Sequence, residues 1–370
     1  MRFPFLNMKY SLLVSVYESL SRTSSRLDKV SILSDFIKKI PNGEEEWIYL
    51  LRGKVLPDYD SREFGISRQL IIKIISKSSG VDNGEIVKEF NNVGDLGEVS
   101  EKLLKNKKQG TLYHGELTVD KVFNNLRKLF ELGGKGSVEK KVSLVAELLT
   151  SSSGNEVKWI TRTVLGDLRV GVADNTLRDA LAESFDSENK HELTKKIESF
   201  YDLTNDFGEV FKALKKGKRG LDKISLLPGK ALNVMLPVKV NDVKEAFRIC
   251  KTPCALEHKY DGFRVVISFD GKEIKLFTRR LEEVTKQFPD VVSSVKKYLK
   301  GKNFILDSEA VGYDTKTKKY LPFESISQRI KRKYRIEELE KELPVEVNVF
   351  DVLYYNGFIL TICPIYLPGL

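Results

Sequence analysis

Residues 257–264 read EHKYDGFR, and the strand-like run VVISF follows at residues 265–269. Lys259 has a carboxylate two positions away on either side, Glu257 and Asp261. A lysine amine is protonated near pH 7, so it becomes a nucleophile only where cationic neighbours, desolvation or a metal ion free its lone pair. We interpret Lys259 as a covalent nucleophile in a loop that leads into a strand.

Two arginines follow Lys259 in the sequence. Arg264 and Arg279 could supply the positive surroundings of the amine, or they could hold phosphates, because a guanidinium presents a rigid fork to phosphate oxygens. Gly262 would allow close approach of the backbone. A plain alternative also fits, since Lys-Tyr-Asp-Gly is an ordinary turn before a strand and short motifs match by chance.

The second half of the chain has the pattern of an antiparallel sheet with helices. Apolar runs at residues 264–269 and 273–278 flank Asp270-Gly271, which is a strong signal for a β-hairpin. Further strands are predicted over residues 303–312 and 345–355, and a helix over residues 284–299. The sequence therefore predicts an α+β domain whose antiparallel strands hold the candidate chemistry.

The chain from about residue 8 to residue 235 has a helical pattern. Leu12, Val16 and Leu20 recur at a spacing of four, which predicts an amphipathic helix with these side chains on one face. The next apolar stripe consists of Val30, Leu33, Phe36 and Ile37. Further helices are predicted over residues 68–75 and 117–132 and from Ser137, a predicted N-cap, onwards.

A linker is predicted near residue 235. Residues 215–220 read KKGKRG, a basic run typical of an exposed loop, and Pro228-Gly229 and Pro237 follow it. We therefore predict an all-α domain over residues 1–235 and a partial α+β domain over residues 236–370.

Residues 159–172 read WITRTVLGDLRVGV. Four apolar side chains are expected to face a core, namely Ile160, Val164, Leu165 and Leu168. Arg162 and Arg169 are expected to point elsewhere. These two arginines could contact phosphates of DNA, and a structural role fits the sequence equally well.

The composition favours a polyanionic partner. The 370 residues carry a net charge of +10 with a pI near 9.2, which by itself does not separate nucleic acid from an anionic membrane. No apolar run is long enough for a transmembrane helix, and no signal peptide is recognised. The three cysteines, Cys250, Cys254 and Cys363, fit a reducing cytoplasm, and their spacing with His258 matches no zinc signature.

Four segments occur in the order found in the nucleotidyltransferases that include ATP-dependent DNA ligases, RNA ligases and capping enzymes. The run EHKYDGFR resembles the first motif of that family. The three later segments are FTRRLEEVTKQFP at residues 277–289, FILDSEA at residues 304–310 and VFDVLYYNG at residues 349–357.

The helical half separates these relatives. Residues 117–136 and 162–172 resemble the DNA-binding domain of archaeal and eukaryotic replicative-type DNA ligases, which capping enzymes and RNA ligases lack. Residues 228–236 resemble the linker of that family, although Val234 stands where proline is usual. The chain is most similar to the archaeal type of ATP-dependent DNA ligase.

This resemblance implies a role for each matching residue. Lys259 would attack the α-phosphate of ATP and form a lysyl-AMP, with Mg²⁺ offsetting the phosphate charge. Glu309 would contact the ribose and help to position Mg²⁺, although a surface carboxylate is the plain alternative. Phe350 would stack on adenine, with a core aromatic as its alternative. Glu257 would contact the adenine amino group, and Arg264 would contact ribose or phosphate. Arg279 would face the nucleotide or the nick. Arg280 stands where asparagine is common in the family.

The resemblance also implies the overall reaction and its partners. AMP would pass to the 5′-phosphate of nicked duplex DNA and be displaced by the 3′-hydroxyl, in replication, repair and recombination. A monomer is expected, with a sliding clamp as a further partner. A non-catalytic DNA-binding protein with an inactive ligase core is the alternative from another class, and an RNA ligase or guanylyltransferase is a third.

The chain departs from the family after Gly357. The family continues with a Glu-Gly strand, a Lys-x-Lys strand and an OB-fold domain, whereas residues 358–370 are apolar and end the chain. We therefore expect a truncated, frameshifted or alternative end. We also expect that this chain seals nicks poorly or not at all, while its helical half still binds duplex DNA.

Overall fold

The computed structural model describes residues 8–105, 116–217, 220–222, 226–232, 238–332 and 334–360. The chain divides into two compact units. One takes in most of the chain up to Lys223, and the other takes in most of it from Ile224 onwards, with the short stretches Tyr59–Ser61 and Asp202–Asn205. The boundary predicted near residue 235, like Val234, Pro237 and Cys363, lies outside the described residues.

The first unit is helical, as predicted. Its elements are α1 (Tyr10–Arg22), α2 (Arg26–Ile37), a 3-10 helix (Glu45–Arg52), α3 (Arg68–Ser79), α4 (Asn83–Val93), α5 (Leu96–Leu104), α6 (Val119–Lys128), α7 (Ser137–Ser151), α8 (Glu156–Val164), α9 (Asp174–Phe185), α10 (Lys190–Thr204) and α11 (Phe207–Lys215). Among the described residues, no helix is both long enough and apolar enough to cross a membrane.

Short polar side chains begin several of these helices. Ser25, Ser67 and Asp95 each accept a hydrogen bond from a backbone amide in the first turn of α2, α3 and α5. Ser137 is not the N-cap that the sequence predicts. It is the first residue of α7, and Gly136, with a φ of 80°, takes the cap position.

The buried face of α1 differs from the predicted one. Leu12 is 50% exposed and Val16 is half-buried, so of the predicted stripe only Leu20 lies in the core. The buried face is instead formed by Tyr10, Leu13, Val14, Tyr17 and Leu20. Tyr17 explains why this face of α1 is buried, because its hydroxyl donates a hydrogen bond to the Leu50 carbonyl inside the core. The stripe predicted for α2 is confirmed, since all four of its residues are buried.

The second unit contains a curled antiparallel sheet, which confirms the predicted α+β class. Its elements are α12 (Val243–Cys250), β1 (Phe263–Phe269), β2 (Ile274–Thr278), a 3-10 helix (Thr285–Gln287), α13 (Pro289–Tyr298), β3 (Phe304–Asp314), β4 (Lys319–Leu321), α14 (Phe323–Lys331), α15 (Ile336–Glu342), β5 (Val345–Tyr355) and β6 (Phe358–Ile359). The strands are ordered β2-β1-β3-β5-β6, and β4 pairs with β3.

The predicted hairpin is confirmed, and the predicted helix over residues 284–299 is partly wrong. Asp270 accepts hydrogen bonds from the amides of Lys272 and Glu273, and Gly271 adopts a φ of 96° in the turn between β1 and β2. The helix begins only at Pro289, because proline lacks the amide proton that a helix interior needs and is suited to the first turn.

The two faces of the sheet differ along its strands. Side chains alternate between faces, so Phe263, Val265 and Ile267 of β1 pack into the core that α13 and α14 cover. The opposite face has an apolar cluster around Val266, Phe277 and Ile305. Beyond Val266 towards the start of β1, that face becomes polar, and this end of the sheet holds the candidate site.

Candidate active site

Two rows of polar side chains cross the central strands. In the first row, Arg264 of β1 pairs with Glu309 of β3, and Glu309 pairs with Asn348 of β5. In the second row, Asp307 pairs with Asp351. Directly paired residues of antiparallel strands project from the same face with Cβ atoms about 5 Å apart. The sheet therefore presents one arginine, three carboxylates and one amide on a small area.

Gly262 brings the loop that contains Lys259 against this area. A Cβ atom at Gly262 would lie 2.2 Å from the Ala310 carbonyl oxygen, so only glycine permits the observed approach to β3. Lys259 is exposed, and it lies close enough to Glu309 for its positive charge to act on that carboxyl. The close approach expected of Gly262 is thus present in the fold.

Burial and charge act in opposite directions on Glu309. Burial raises the pKa of this carboxyl, and the charges of Lys259 and Arg264 lower it by less, so that the pKa remains above its ordinary value. A carboxyl in this setting is partly desolvated next to two cations. The alternative interpretation of Glu309 as a surface carboxylate therefore does not agree with its partly buried position.

Arg264 is held by a buried carboxylate. Its Nε donates to Asp307 Oδ1 at 2.9 Å, and its Nη2 donates to the second carboxylate oxygen. Asp307 is only 1% exposed. The guanidinium carbon of Arg264 lies 5.4 Å from the centre of the Phe350 ring, a distance typical of a cation–π contact.

Phe350 lies at an irregularity of β5. Asp307 pairs with Asp351 and Ser308 pairs with Val349, so Phe350 is an extra residue that bulges out of the pairing. Its side chain is 39% exposed. The alternative interpretation of Phe350 as a core aromatic is therefore wrong. Its ring is accessible next to Arg264.

Glu257 lies near the second polar row. Burial is the main cause that raises the pKa of Asp351, and the charges of Asp307 and Glu257 raise it further. Glu257 is itself exposed. The structure thus brings both ends of the segment from Glu257 to Arg264 to the same face of the sheet.

Arg279 and Arg280 lie in a turn directly after β2. Thr278, the last residue of β2, pairs with Val265, so the turn is at the same end of the sheet as Arg264. Both arginines are exposed, and Leu281 adopts a φ of 64° within the turn. Arg279 therefore lies at the exposed rim of the sheet, where a large substrate could reach it. Its contact to nucleotide or nick stays a prediction.

Arg162 does not point away from the core, and that prediction is wrong. Its side chain is 9% exposed, pairs with Asp95 at 2.9 Å and lies over the Trp159 ring. Burial opposes the ionisation of Asp95, but hydrogen bonds from Arg162 and from the Glu98 amide and the charge of Arg169 hold the pKa of Asp95 below its ordinary value. This geometry supports a structural role for Arg162.

Arg169 occupies a different environment in the same unit. Its side chain is 47% exposed and bonds to Asp167 and Asp95, and its φ is 57°. Arg169 and Arg68 line one cavity of the helical unit. A contact to DNA stays a prediction for Arg162 and Arg169, and the exposure favours Arg169.

No cluster of three or more histidine, cysteine, aspartate or glutamate side chains suited to a metal ion occurs within the described ranges. Cys250 and Cys254 are exposed free thiols. A bound nucleotide could supply ligands for a metal ion through its phosphate oxygens. Mg²⁺ commonly binds in this way, through one or two carboxylates together with phosphate oxygens.

The sequence interpretation assigned no role to Asp307, Asn348 and Asp351. The sequence contained a signal for Asp307 as a site residue, because a residue two positions before Glu309 in a strand must lie on the same face of the sheet. Asn348 and Asp351 had none, because the bulge at Phe350 shifts the alternation of β5 and only the pairing with β3 shows which side chains share a face.

Comparisons with known proteins find related sequences over most of the chain. A family model described as "DNA ligase N terminus" matches residues 9–182, and one described as "ATP dependent DNA ligase domain" matches residues 234–366. The DNA ligase of Nanoarchaeum equitans is 39% identical over 351 residues, which are 95% of this chain and 61% of that protein. The DNA ligases of Methanosphaera stadtmanae and Thermococcus fumicolans are each 40% identical over 354 residues, 95% of this chain and 62% of each relative. The chain thus spans about three-fifths of the length of these relatives.

Proposed function

Because the chain belongs to the ATP-dependent DNA ligase family, we propose that Lys259 takes AMP from ATP as the first step of DNA nick sealing. The neutral Nζ attacks the α-phosphorus, and a phosphorus–nitrogen bond forms. The bond between the α-phosphorus and the oxygen that bridges to the β-phosphate breaks. Pyrophosphate leaves with that electron pair, and the amine proton passes to solvent.

The observation that supports this proposal most directly is the approach of Lys259 to Glu309 across Gly262. If Lys259 lay in an open loop before a strand, a glycine would not be required at position 262. In the structure, a Cβ atom at that position would lie 2.2 Å from the Ala310 carbonyl oxygen. Here the glycine allows the amine to lie above a face that presents Arg264 and Glu309. This is an arrangement in which a phosphate and a sugar could be bound together.

The neighbouring side chains suit the parts of a nucleotide. The exposed Phe350 ring could stack on adenine, and Arg264, fixed by Asp307, offers donors to phosphate or ribose oxygens. Glu257 could accept a hydrogen bond from the adenine amino group. Arg279 at the rim would face either the nucleotide or the nick.

Glu309 is the residue that would hold Mg²⁺ together with oxygens of ATP. The divalent cation, when bound, would neutralise the negative charge on the phosphates. The partial burial of Glu309 beside the nucleophile suits this role, because one carboxylate and substrate oxygens are a sufficient ligand set for Mg²⁺.

The later steps would use DNA. AMP would pass from Lys259 to the 5′-phosphate of a nick, and the 3′-hydroxyl would then attack this phosphate and release AMP. The helical unit would bind the duplex through cations such as Arg169 that remain partly exposed. Nick sealing, a sliding clamp as partner and a monomeric state belong to the proposal.

The first step can be tested by incubating the protein with Mg²⁺ and ATP labelled at the α-phosphate. A covalent AMP adduct is expected in the wild type and should be absent from Lys259→Ala. Lys272→Ala is a matched control, because Lys272 is an exposed lysine in the hairpin turn at the other end of β1. It should form the adduct normally.

Other outcomes would point to other functions. The absence of an adduct from folded wild-type protein that still binds duplex DNA would favour a non-catalytic DNA-binding protein. A GMP adduct formed in preference to the AMP adduct would favour a guanylyltransferase. An adduct that persists in Lys259→Ala would show that another residue is the nucleophile.

A further inference from the structure

Asn348 completes the first polar row of the candidate site. It is half-buried and pairs directly with Glu309, which in turn pairs with Arg264. The three side chains therefore project from one face of three adjacent strands. Neither the sequence pattern nor the comparisons give Asn348 a role.

Within the part of the chain that the structure describes, the side-chain nitrogen of Asn348 has no partner in hydrogen-bond geometry. Among the described residues, no acceptor makes a hydrogen bond with Nδ2, although this atom is buried. A buried donor without an acceptor is unfavourable, and such groups in native proteins commonly await a ligand or water. The donor is thus available at the place where Glu309 and Arg264 meet.

Tyr320 interacts with this donor only weakly. Its hydroxyl proton is donated to Glu346, and this bond is the main cause that raises the pKa of Tyr320, while the Asn348 amide opposes the shift. The amide therefore lies close enough to the Tyr320 oxygen for a weak polar interaction, but Nδ2 and that oxygen do not reach hydrogen-bond geometry. A ligand that enters between Glu309 and Asn348 would meet an available donor.

An ionised carboxylate only accepts hydrogen bonds, whereas the nitrogen of an amide only donates them. Glu309 and Asn348 are thus an acceptor and a donor with Cβ atoms about 5 Å apart. A hydroxyl group both donates and accepts, so it can bind to both side chains at once. In a nucleotide, such groups are the hydroxyls of the sugar.

We propose that Asn348 is a further nucleotide-binding residue, whose amide donates a hydrogen bond to a ribose hydroxyl oxygen while Glu309 accepts a hydrogen bond from the same hydroxyl. This inference rests on the proposed adenylation function and deepens it, because it makes the sugar part of substrate selection. A site built around a hydroxyl rejects analogues that lack it, since its own polar groups are then left unpaired. The preferred substrate is accordingly a ribonucleoside triphosphate.

The test compares ATP, 2′-deoxy-ATP and 3′-deoxy-ATP, with kcat/KM for formation of the AMP adduct and direct binding of each nucleotide as readouts. Wild type should prefer ATP over at least one analogue by about tenfold or more. Asn348→Ala and Asn348→Val should lose about tenfold with ATP and much less with the analogue that lacks the contacted hydroxyl. Valine retains a high β-propensity, so this second variant keeps the strand favoured.

Asn303→Ala is the matched control. Asn303 also has a buried side-chain atom without a partner, its Oδ1, but it lies six residues from Glu309, roughly 20 Å along an extended chain. This variant should retain the wild-type preference among the three nucleotides.

The two proposals fail in different ways. A folded wild type that neither binds ATP nor forms the adduct would overturn the adenylation function and this inference with it. A wild type that forms the adduct, together with Asn348 variants that affect all three nucleotides equally or not at all, would overturn only the inference.

Discussion

The guanidinium of Arg264 is bound side-on by the carboxylate of Asp307, with Nε donating to Oδ1 at 2.9 Å and Nη2 to Oδ2. The two side chains come from adjacent strands, and the acid is buried while the arginine reaches the accessible end of the face. Asp307 therefore fixes the orientation of a cation that lies beside the Phe350 ring. A residue without expected substrate contact thus determines where the guanidinium of Arg264 points.

Asp307→Asn should weaken this orientation. Asparagine keeps the size but loses the charge and one acceptor, so we expect a loss of about 2 kcal/mol in the free energy of unfolding and a fall of about tenfold or more in kcat/KM for AMP-adduct formation. Denaturant unfolding and adduct kinetics measure the two effects. An unchanged rate in a destabilised protein would show that Asp307 serves stability alone.

Gly262→Ala should strongly slow adduct formation. The added Cβ would lie 2.2 Å from the Ala310 carbonyl oxygen, so the loop must move away from β3 and Lys259 with it. We expect a loss of about 100-fold or more, because small displacements of a nucleophile have large effects on rate. Gly133→Ala is the control, since a Cβ there has no atom within 4 Å. Normal adduct formation by Gly262→Ala would contradict the proposed approach.

Glu309→Gln should stabilise the folded protein at neutral pH. The pKa of Glu309 is raised in the folded state, chiefly by burial, so its contribution to stability is fully present below the ordinary value of 4.5 and is lost as pH rises through the folded pKa. The Tm of the variant should therefore exceed that of the wild type at pH 7, and the difference should shrink towards pH 4. Adduct formation should fall at the same time. A Tm difference that is independent of pH would contradict this account.

Phe350→Ala should weaken nucleotide binding with little effect on folding. The ring is 39% exposed at a bulge, so the core loses little when it is removed. Loss of base stacking is expected to raise the Kd for ATP by about tenfold, on the scale of 1–3 kcal/mol per stacked base. Phe358→Ala is the control, because Phe358 is a 70% exposed phenylalanine on β6 of the same sheet. Equal affinities in the two variants would exclude stacking.

Arg162→Ala should destabilise the helical unit. The variant removes one partner of a buried ion pair, so the negative charge of Asp95 is less well compensated by neighbouring cations. We expect a loss of about 3 kcal/mol in the free energy of unfolding. Arg26→Ala removes a more exposed pair with Asp179 and should change stability by about 1 kcal/mol or less. Denaturant titration compares the two variants. Similar stabilities would indicate that Arg162 is not a structural residue.

Local patterns were sufficient where one face of an element is buried and its period is regular. The predicted bounds of β5, residues 345–355, agree with Val345–Tyr355, and the β1–β2 hairpin has the predicted turn. The face of α1 was not predictable in the same way. A spacing of four fits Leu12, Val16 and Leu20, and only the neighbouring elements decide that Tyr17 and Leu13 face the core instead.

The sequence by itself determined the two kinds of unit, the order of the motifs and the identity of Lys259 as the candidate nucleophile, because each is written in contiguous residues. Pairing between distant strands decided the rest. It placed Asp307 under Arg264, Asn348 beside Glu309 and Phe350 at a bulge. These relationships depend on the register of β3 against β1 and β5, which is set by the packing of the whole sheet and not by any single segment.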